Sequence, residues 1–513
     1  MTRSIAIRIL SLAAGIGVAG QALLVGNLFG LNLVLLSVAL LGAAVVVRPR
    51  DAAIDPADLW LPVAAIAVVA GVTFRADPLL NLLDTGAGCL LLGASIAAIG
   101  GVAVTRRSAI GVVVLGTMAL GWLGMGIVRV TAATRRPVQD EDAPARRLPG
   151  WAGPVARGLL LAIPVLFVFS ALFASADAVF ATLTSRLFDL QLDWGELPVR
   201  LAVAFLISWV VAGLLAIAAG DMRPWRDAEA AAFTAQPRSL GAAAAADPLD
   251  RAIPILGSIE AVTILVAVDA LFAVFVILQL AYLFGGQDTL AATGLPYAQY
   301  ARSGFFELVV VAVLAGGLLA LVHAIAVRRT AALVWAGLAL GGLTAVILAS
   351  ALLRLRIYQD AYGWTELRFY VLATIVWLAI GIAITGVLLV RDRMAWLIHG
   401  LAIAAVVVLV GMNVVGPSRL IAGENVARVL DPSRVPPDGK TGLDVGYVRV
   451  LGDDAVPAMV AALPALDPGP RLQLIGVLVE RKSELASPEA SGWPSWNLGR
   501  ELARRALAGL PGR

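Results

Sequence analysis

The sequence predicts a polytopic bundle of transmembrane α-helices with a small helical extramembrane domain at the C-terminus. Three observations support this. Of 513 residues, 60% are apolar and 14% charged, against roughly 25% charged in a soluble domain. Mean hydropathy is +0.89. Apolar runs of about 20 residues recur, each long enough to cross a hydrocarbon layer ~30 Å thick as a helix. The runs do not alternate as barrel strands would.

In chain order the runs place spans near 5–26, 30–47, 59–75, 79–103, 109–129, 155–175, 198–219, 254–284, 305–327, 331–352, 367–390 and 394–415. Arg3 and Arg8 ahead of the first run give it the look of a signal peptide. Its length, and the second run close behind, predict an uncleaved first span. The 254–284 run is over-long for a perpendicular crossing, so it tilts or extends past the bilayer. A polar linker at 130–153 divides residues 1–129 from a transmembrane core at 154–416, which itself contains a second polar linker at 220–252. Between spans, Phe180, Leu183, Leu187 and Leu190 repeat at helical spacing over 176–194, with Thr182, Ser185, Arg186, Asp189 and Asp193 opposite. The pattern suits a helix on the membrane surface and equally a loop helix packed on the bundle. Residues 417–513 are polar enough for an extramembrane domain. "GLDVGYVRVLG", "DDAVPAMVAALPAL", "RLQLIGVLVERKSEL" and "SWNLGRELARRAL" supply its helices, with enough chain for a modest core.

Orientation is divided. Arginines at 130–157, 220–252, 328–329 and 391–393 share one side by the span count and put the tail on the other, outside. Arg48, Arg50, Arg106 and Arg107 fall on the tail's side by the same count.

The net charge of +4 includes two lysines, Lys440 and Lys482. No basic tract is dense enough for nucleic acid; the lipid bilayer is the partner implied. The single Cys89 forms no intrachain disulfide. His323 and His399 lie too far apart in sequence for a histidine-rich metal centre; each is read as a hydrogen-bond partner of a neighbouring helix, with proton relay the sharper alternative. There is no phosphate loop, H-E-x-x-H, cysteine pair or kinase signature, so neither catalytic residues nor a cofactor are assigned. Asp453 and Asp454 in "GDD" are read as a helix N-terminus, ahead of a divalent-cation site.

Charge inside the greasy part is the best functional signal, because it is costly and faces a bundle interior or water. Asp269 lies at the middle of "SIEAVTILVAVDALFAVFVILQL" and must be paired, hydrated or protonated. Glu260, nine residues earlier, falls on about the opposite face of that helix. Glu307 and Arg368 sit nearer span ends, among Tyr297, Tyr300, Tyr362 and Trp364, where anchoring at the headgroups competes with a site. Arg302 and Asp177 complete the candidates. Arg368 is the expected partner of Glu307.

Several strings resemble the bacterial multi-pass family known as domain of unknown function 4173: "LFASADAVF" (172–180), "PYAQYARSGFFELVV" (296–310), "AYGWTELRFY" (361–370), "RLIAGENVAR" (419–428), "LDVGYVRVLGDDAVPAMV" (443–460) and "SWNLGRELARRAL" (495–507). The resemblance covers about 150–513. It implies a bacterial inner-membrane protein and no particular activity. It marks Ser175, Asp177, Tyr300, Arg302, Gly304, Phe306, Glu307, Leu367, Arg368, Asn413, Asn425, Arg428 and Asp454, while Trp364 departs from a smaller apolar residue. It also places Ser175 or Asp177 as an N-cap between a span and the surface helix.

The functional expectation is an integral membrane protein with a transport-like or ion-linked polar interior lined by Asp269, Glu307 and Arg368. One rival is a membrane-anchored scaffold or sensor whose C-terminal helices bind a protein partner. The other is a membrane-embedded transferase, for which Asp177, Glu307 and Asp453 are the visible material.

Overall fold

The computed structural model describes residues 2–52, 54–105, 109–134, 197–220, 256–284, 305–326, 328–437, 439–440 and 442–510. The expected span at 155–175, the surface helix at 176–194, most of both linkers, and Asp177 and Arg302 lie outside these residues.

Among the described residues the chain is helical, without strands beyond one isolated bridge between Leu256 and Ala326. Among the described residues eight helices are long and apolar enough to cross a membrane. The first half holds α1 (Arg3–Leu24), α2 (Leu31–Val47), α3 (Trp60–Phe74), α4 (Pro78–Ile99), α5 (Ala109–Thr134) and α6 (Leu197–Ala218). The second half holds α7 (Ser258–Phe284), α8 (Phe305–Ile325), α9 (Ala331–Tyr362), α10 (Glu366–Arg391) and α11 (Leu397–Val415). The tail is built from α12 (Pro417–Leu430), the single turn Val445–Val448, α13 (Val456–Ala462), α14 (Pro468–Leu485) and α15 (Leu498–Leu507).

Helix ends follow capping chemistry more closely than hydropathy. Thr330 accepts from Leu333 N at 3.2 Å to open α9, and Asp77 with Pro78 opens α4. The 331–352 run predicts a stop where Arg354 and Arg356 enter, yet α9 continues to Tyr362. Arg354 and Gln359 are buried there. The extra ten residues add roughly 15 Å of helix and carry α9 up to the tail.

In the first half α1 packs on α6, α3 on α4 and α5 on α6; in the second α7 and α8 pack on α9, and α9 to α11 follow in sequence. Helix α11 lies against α3 and joins the halves, with Leu409 among Val68 and Leu80.

Two ends of the bundle are distinct. At one, Asp58 accepts from Val104 N and Thr105 N, His399 Nε2 meets Val104 O at 3.3 Å, and Arg329 pairs with Asp392 at 2.8 Å. Arg48, Arg328, Arg391 and Arg393 follow the same loops. The opposite end carries residues 25–30, 75–77, 363–365 and the tail. Helix α5 leaves the arginine end, and α6 returns to it, since a Cβ on Gly100 would sit 2.4 Å from Ile217 O. The chain therefore enters and leaves residues 135–196 at the tail end. Arg48 thus shares the arginine end of the described helices with Arg328, Arg391 and Arg393, where the span count has it on the tail's side.

Candidate functional site

Among the described residues a buried polar cluster lies where α3, α4 and α11 meet beneath the tail. It begins at the turn between α3 and α4. Asp77 is fully buried and takes four donors: Leu80 N at 3.0 Å, Ser418 N at 3.1 Å, Ser418 Oγ at 2.6 Å and Tyr370 Oη at 3.3 Å. One carboxylate thus caps α4 and ties it to α10 and α12. Arg75 donates to the carbonyls of Asn413 and Val414 at the end of α11.

Two turns deeper on the same face of α4 lies Asp84, also fully buried. Its Oδ1 accepts from Asn413 Nδ2 at 2.9 Å, and that amide nitrogen also donates to Leu409 O at 3.1 Å. Asp84 Oδ2 and Asn413 Oδ1 are enclosed, with no hydrogen-bond donor on either. Each lies 2.5 Å from where a Cβ on Gly71 would stand, so a glycine is what lets the carboxyl and the amide meet against α3. Asn81 Oδ1, Thr85 Oγ1 and Thr73 Oγ1 add further unpartnered buried oxygens on α4 and α3. Asp84 Oδ2, Asn413 Oδ1 and Asn81 Oδ1 are acceptors without a donor, while the two threonine hydroxyls carry protons they do not use.

The tail closes the mouth of this cluster. Asp453 N donates to Ala76 O at 3.0 Å and Ala76 N to Asp454 Oδ2 at 3.2 Å. A Cβ on Gly452 would fall onto Ala76 O. Asn497 Nδ2 donates to Val72 O and Arg75 O at 2.7 and 2.8 Å, while its Oδ1 caps α15 through Arg500 N. Arg500 reaches Phe29 O at 2.6 Å, and Leu31 N donates to Trp496 O at 3.0 Å. The "SWN" and "GDD" strings are thus docking devices. "GDD" does start a helical segment, but its side chains reach away from it: Asp453 pairs with Arg481 at 3.1 Å. Among the described residues no group of three or more His, Cys, Asp or Glu could hold a metal ion.

Burial pushes the Asp454 carboxyl up to about 6, against the pull of Arg75 and the Ala76 N–H, and pushes Asp453 up as well despite Arg481. A folded-state value above the unfolded 3.8 means the folded protein binds the proton more tightly. Stability then rises as pH falls through about 6 and levels off below the unfolded value. We expect the stability of the full chain to rise between pH 7 and pH 5 by about 1 kcal/mol from Asp454, read as an upward shift in Tm. In Asp454→Asn that part of the slope disappears; an identical slope in the variant would rule Asp454 out as its source.

The residues singled out in the sequence are dispersed. Asp269 lies half-buried on α7, on the side of Leu265, Phe272 and Val276, with Oδ1 enclosed and unpartnered. Glu260 Oε2 accepts from Gly257 N at 2.8 Å, half of a capping box at the start of α7. Glu307 is exposed. Arg368 is buried, donates to Gly363 O and stacks on Tyr358 at 3.9 Å. The expected Glu307–Arg368 pair is not among the ion pairs of the described residues; Arg368, in the first turn of α10, folds back onto the α9–α10 turn instead. His399 does bond a neighbouring segment, at Val104 O. Asn425 clasps the backbone of Trp364 with two bonds, 2.7 and 2.9 Å, while the Trp364 side chain packs against the tail core and beneath Arg356.

Sequence reasoning missed Asp77 and Asp84. Asp84 carries the signal that singles out Asp269, a carboxylate inside an apolar run. Asp77 sits just ahead of Pro78, a helix-start signature.

Helices of this length and apolarity, enclosing unpartnered carboxyl and amide groups, define an integral membrane protein of the helical-bundle class. The chain belongs to the family described as Domain of unknown function (DUF4153), which matches residues 61–462. No curated protein and no solved structure matches it. The match takes in Asp77, Asp84, Asn413, Ser418 and Asp454 together and stops short of α14 and α15.

Proposed function

We propose that this is an ion-linked membrane protein of transport-like character, in which Asp84 carries a proton inside the bundle. One observation carries the reading. The amide nitrogen of Asn413 donates to one oxygen of Asp84, while the amide oxygen and the second carboxyl oxygen converge over Gly71 without donors. A proton on Asp84 Oδ2 supplies the missing donor and closes a two-bond acid–amide ring. An ionised carboxylate there would hold an unpaired oxygen against another acceptor, at a cost of several kcal/mol.

Charged neighbours are few. Helices α2 and α3 carry none, α6 carries Arg200, and α11 carries His399 at its far end. Arg75 is committed to carbonyls at the mouth, and Asp77 lies two turns away on α4. Asp269 is a second enclosed carboxylate, on the other half of the bundle. The arginines at the end opposite the tail support, by the positive-inside rule, a cytoplasmic side for that end and an outer side for the tail. The cell membrane of a bacterium, and kinship with domain of unknown function 4173 through the strings at 172–180 and 296–507, belong to this proposal.

The test is water access. In a Cys89→Ser background, Asp84→Cys is labelled in sealed vesicles with a small membrane-impermeant thiol reagent, and Leu472→Cys, 73% exposed on the tail, is the control. Labelling at 84 is expected. If 472 labels while 84 stays dark from both sides, Asp84 is a sealed structural partner and the scaffold reading takes its place.

A further inference from the structure

A second polar site lies at the same end of the bundle, about the α9–α10 turn. Gly363 turns the chain with φ of +79°, and Thr365 caps α10 by accepting from Arg368 N. Arg368 returns over this turn to Gly363 O. From the tail, Arg428 donates to the carbonyls of Gln359, Asp360, Ala361 and Lys440, and Tyr447 Oη accepts from Glu366 N at 2.7 Å. Between them lies a cavity of about 350 Å³, walled also by Tyr358, Trp364, Lys440 and Asp444. That is the lower part of the range for small-ligand pockets.

The charges are unbalanced. Arg368, Arg428 and Lys440 line the cavity with one carboxylate, Asp444, whose Oδ1 is already used to cap Tyr447 N at 3.0 Å; Asp360 and Glu366 act on Arg428 and Tyr447 from outside the lining. Both arginines are more than nine-tenths buried, and neither forms an ion pair with a carboxylate among the described residues. Arg428 is satisfied by carbonyls. Arg368 has one acceptor, Gly363 O, for a guanidinium with five N–H donors. Burial pushes the Tyr447 hydroxyl up to about 12, so it stays neutral with its proton available. A buried arginine with spare donors, a second arginine and a lysine beside it, and tyrosyl and tryptophan walls form a receptor for a compact oxyanion.

We propose that this cavity binds a phosphate group, held by Arg368 and Lys440 with the Tyr447 hydroxyl as a further donor. Its position, between the end of a long transmembrane helix and the extramembrane tail, is headgroup level. The phosphate therefore comes from an anionic lipid headgroup or from a soluble phosphate, which present the same oxygens.

The experiment is thermal unfolding of the full chain in lipid nanodiscs, with two arms. One compares discs of phosphatidylcholine alone with discs containing phosphatidylglycerol. The other adds inorganic phosphate to phosphatidylcholine discs, against chloride at equal ionic strength. A rise in Tm of several degrees is expected in one arm, and the responding arm identifies the source. Lys440→Glu changes an exposed side chain and leaves the fold intact; it should reduce the response several-fold. Arg368→Gln should abolish it. No response in either arm overturns the proposal, as does a response that Lys440→Glu retains in full.

Discussion

Replacing Asp77 with alanine should destabilise the protein by about 3–5 kcal/mol, because four buried donors lose their acceptor together. Each buried donor left unpaired costs roughly 1–3 kcal/mol, and local relaxation recovers part of the sum. The donors come from α4, α10 and α12, so the loss is a loss of cohesion between elements rather than of one helix cap; a cap alone is worth about 1 kcal/mol. Asp77→Asn keeps one carbonyl oxygen and should fall between wild type and alanine. Equilibrium unfolding in mixed micelles reads both variants. A cost under about 1 kcal/mol for Asp77→Ala would show that Ser418 and Tyr370 find other partners.

Deleting residues 417–513 should have the largest effect: the remaining helices should fail to give a monodisperse protein. The deletion removes Ser418 from Asp77 and uncaps the last carbonyls of α9, which Arg428 holds. It strips Asn497 from the end of α3, and exposes Phe369, whose neighbours Ile421, Val445, Val448 and Leu451 form the tail core. Size-exclusion chromatography of the truncated and full chains in the same detergent decides the matter. A truncated chain that runs as a sharp peak and unfolds at the wild-type temperature would make the tail a separable module. That result would favour the membrane-anchored scaffold.

What the sequence made legible, and what it did not, divides along a physical line. Spans are written in local composition, so α2, α3 and α11 lie within a residue or a few of the apolar runs that announce them. Caps are local too: Thr330, Thr365 and Asn497 each stand just before the helix they open. Helix α9 outruns its apolar stretch because Leu355 packs among residues of α8 and α10 and Arg428 of the tail holds its last carbonyls, neither of which hydropathy registers. The site is not local. Asp84 and Asn413 are 329 positions apart, and Asp77 and Ser418 are 341 apart. Asn413, Asn425, Arg428 and Asp454 could be marked by resemblance, but not given partners. The pairing of Glu307 with Arg368 failed because proximity to a membrane boundary is shared by many charges and specifies no partner.

The neutral acid at Asp84 is the claim from which the ion-linked reading follows, and infrared difference spectroscopy tests it most directly. Spectra of the full chain and of Asp84→Asn in lipid, both at pH 7, are subtracted. The account predicts a carboxylic-acid C=O band, above the amide band, that is present in the wild type and missing from the variant. A wild type without that band, showing instead a carboxylate stretch that the variant removes, would mean Asp84 is ionised and the proton-carrying site does not exist.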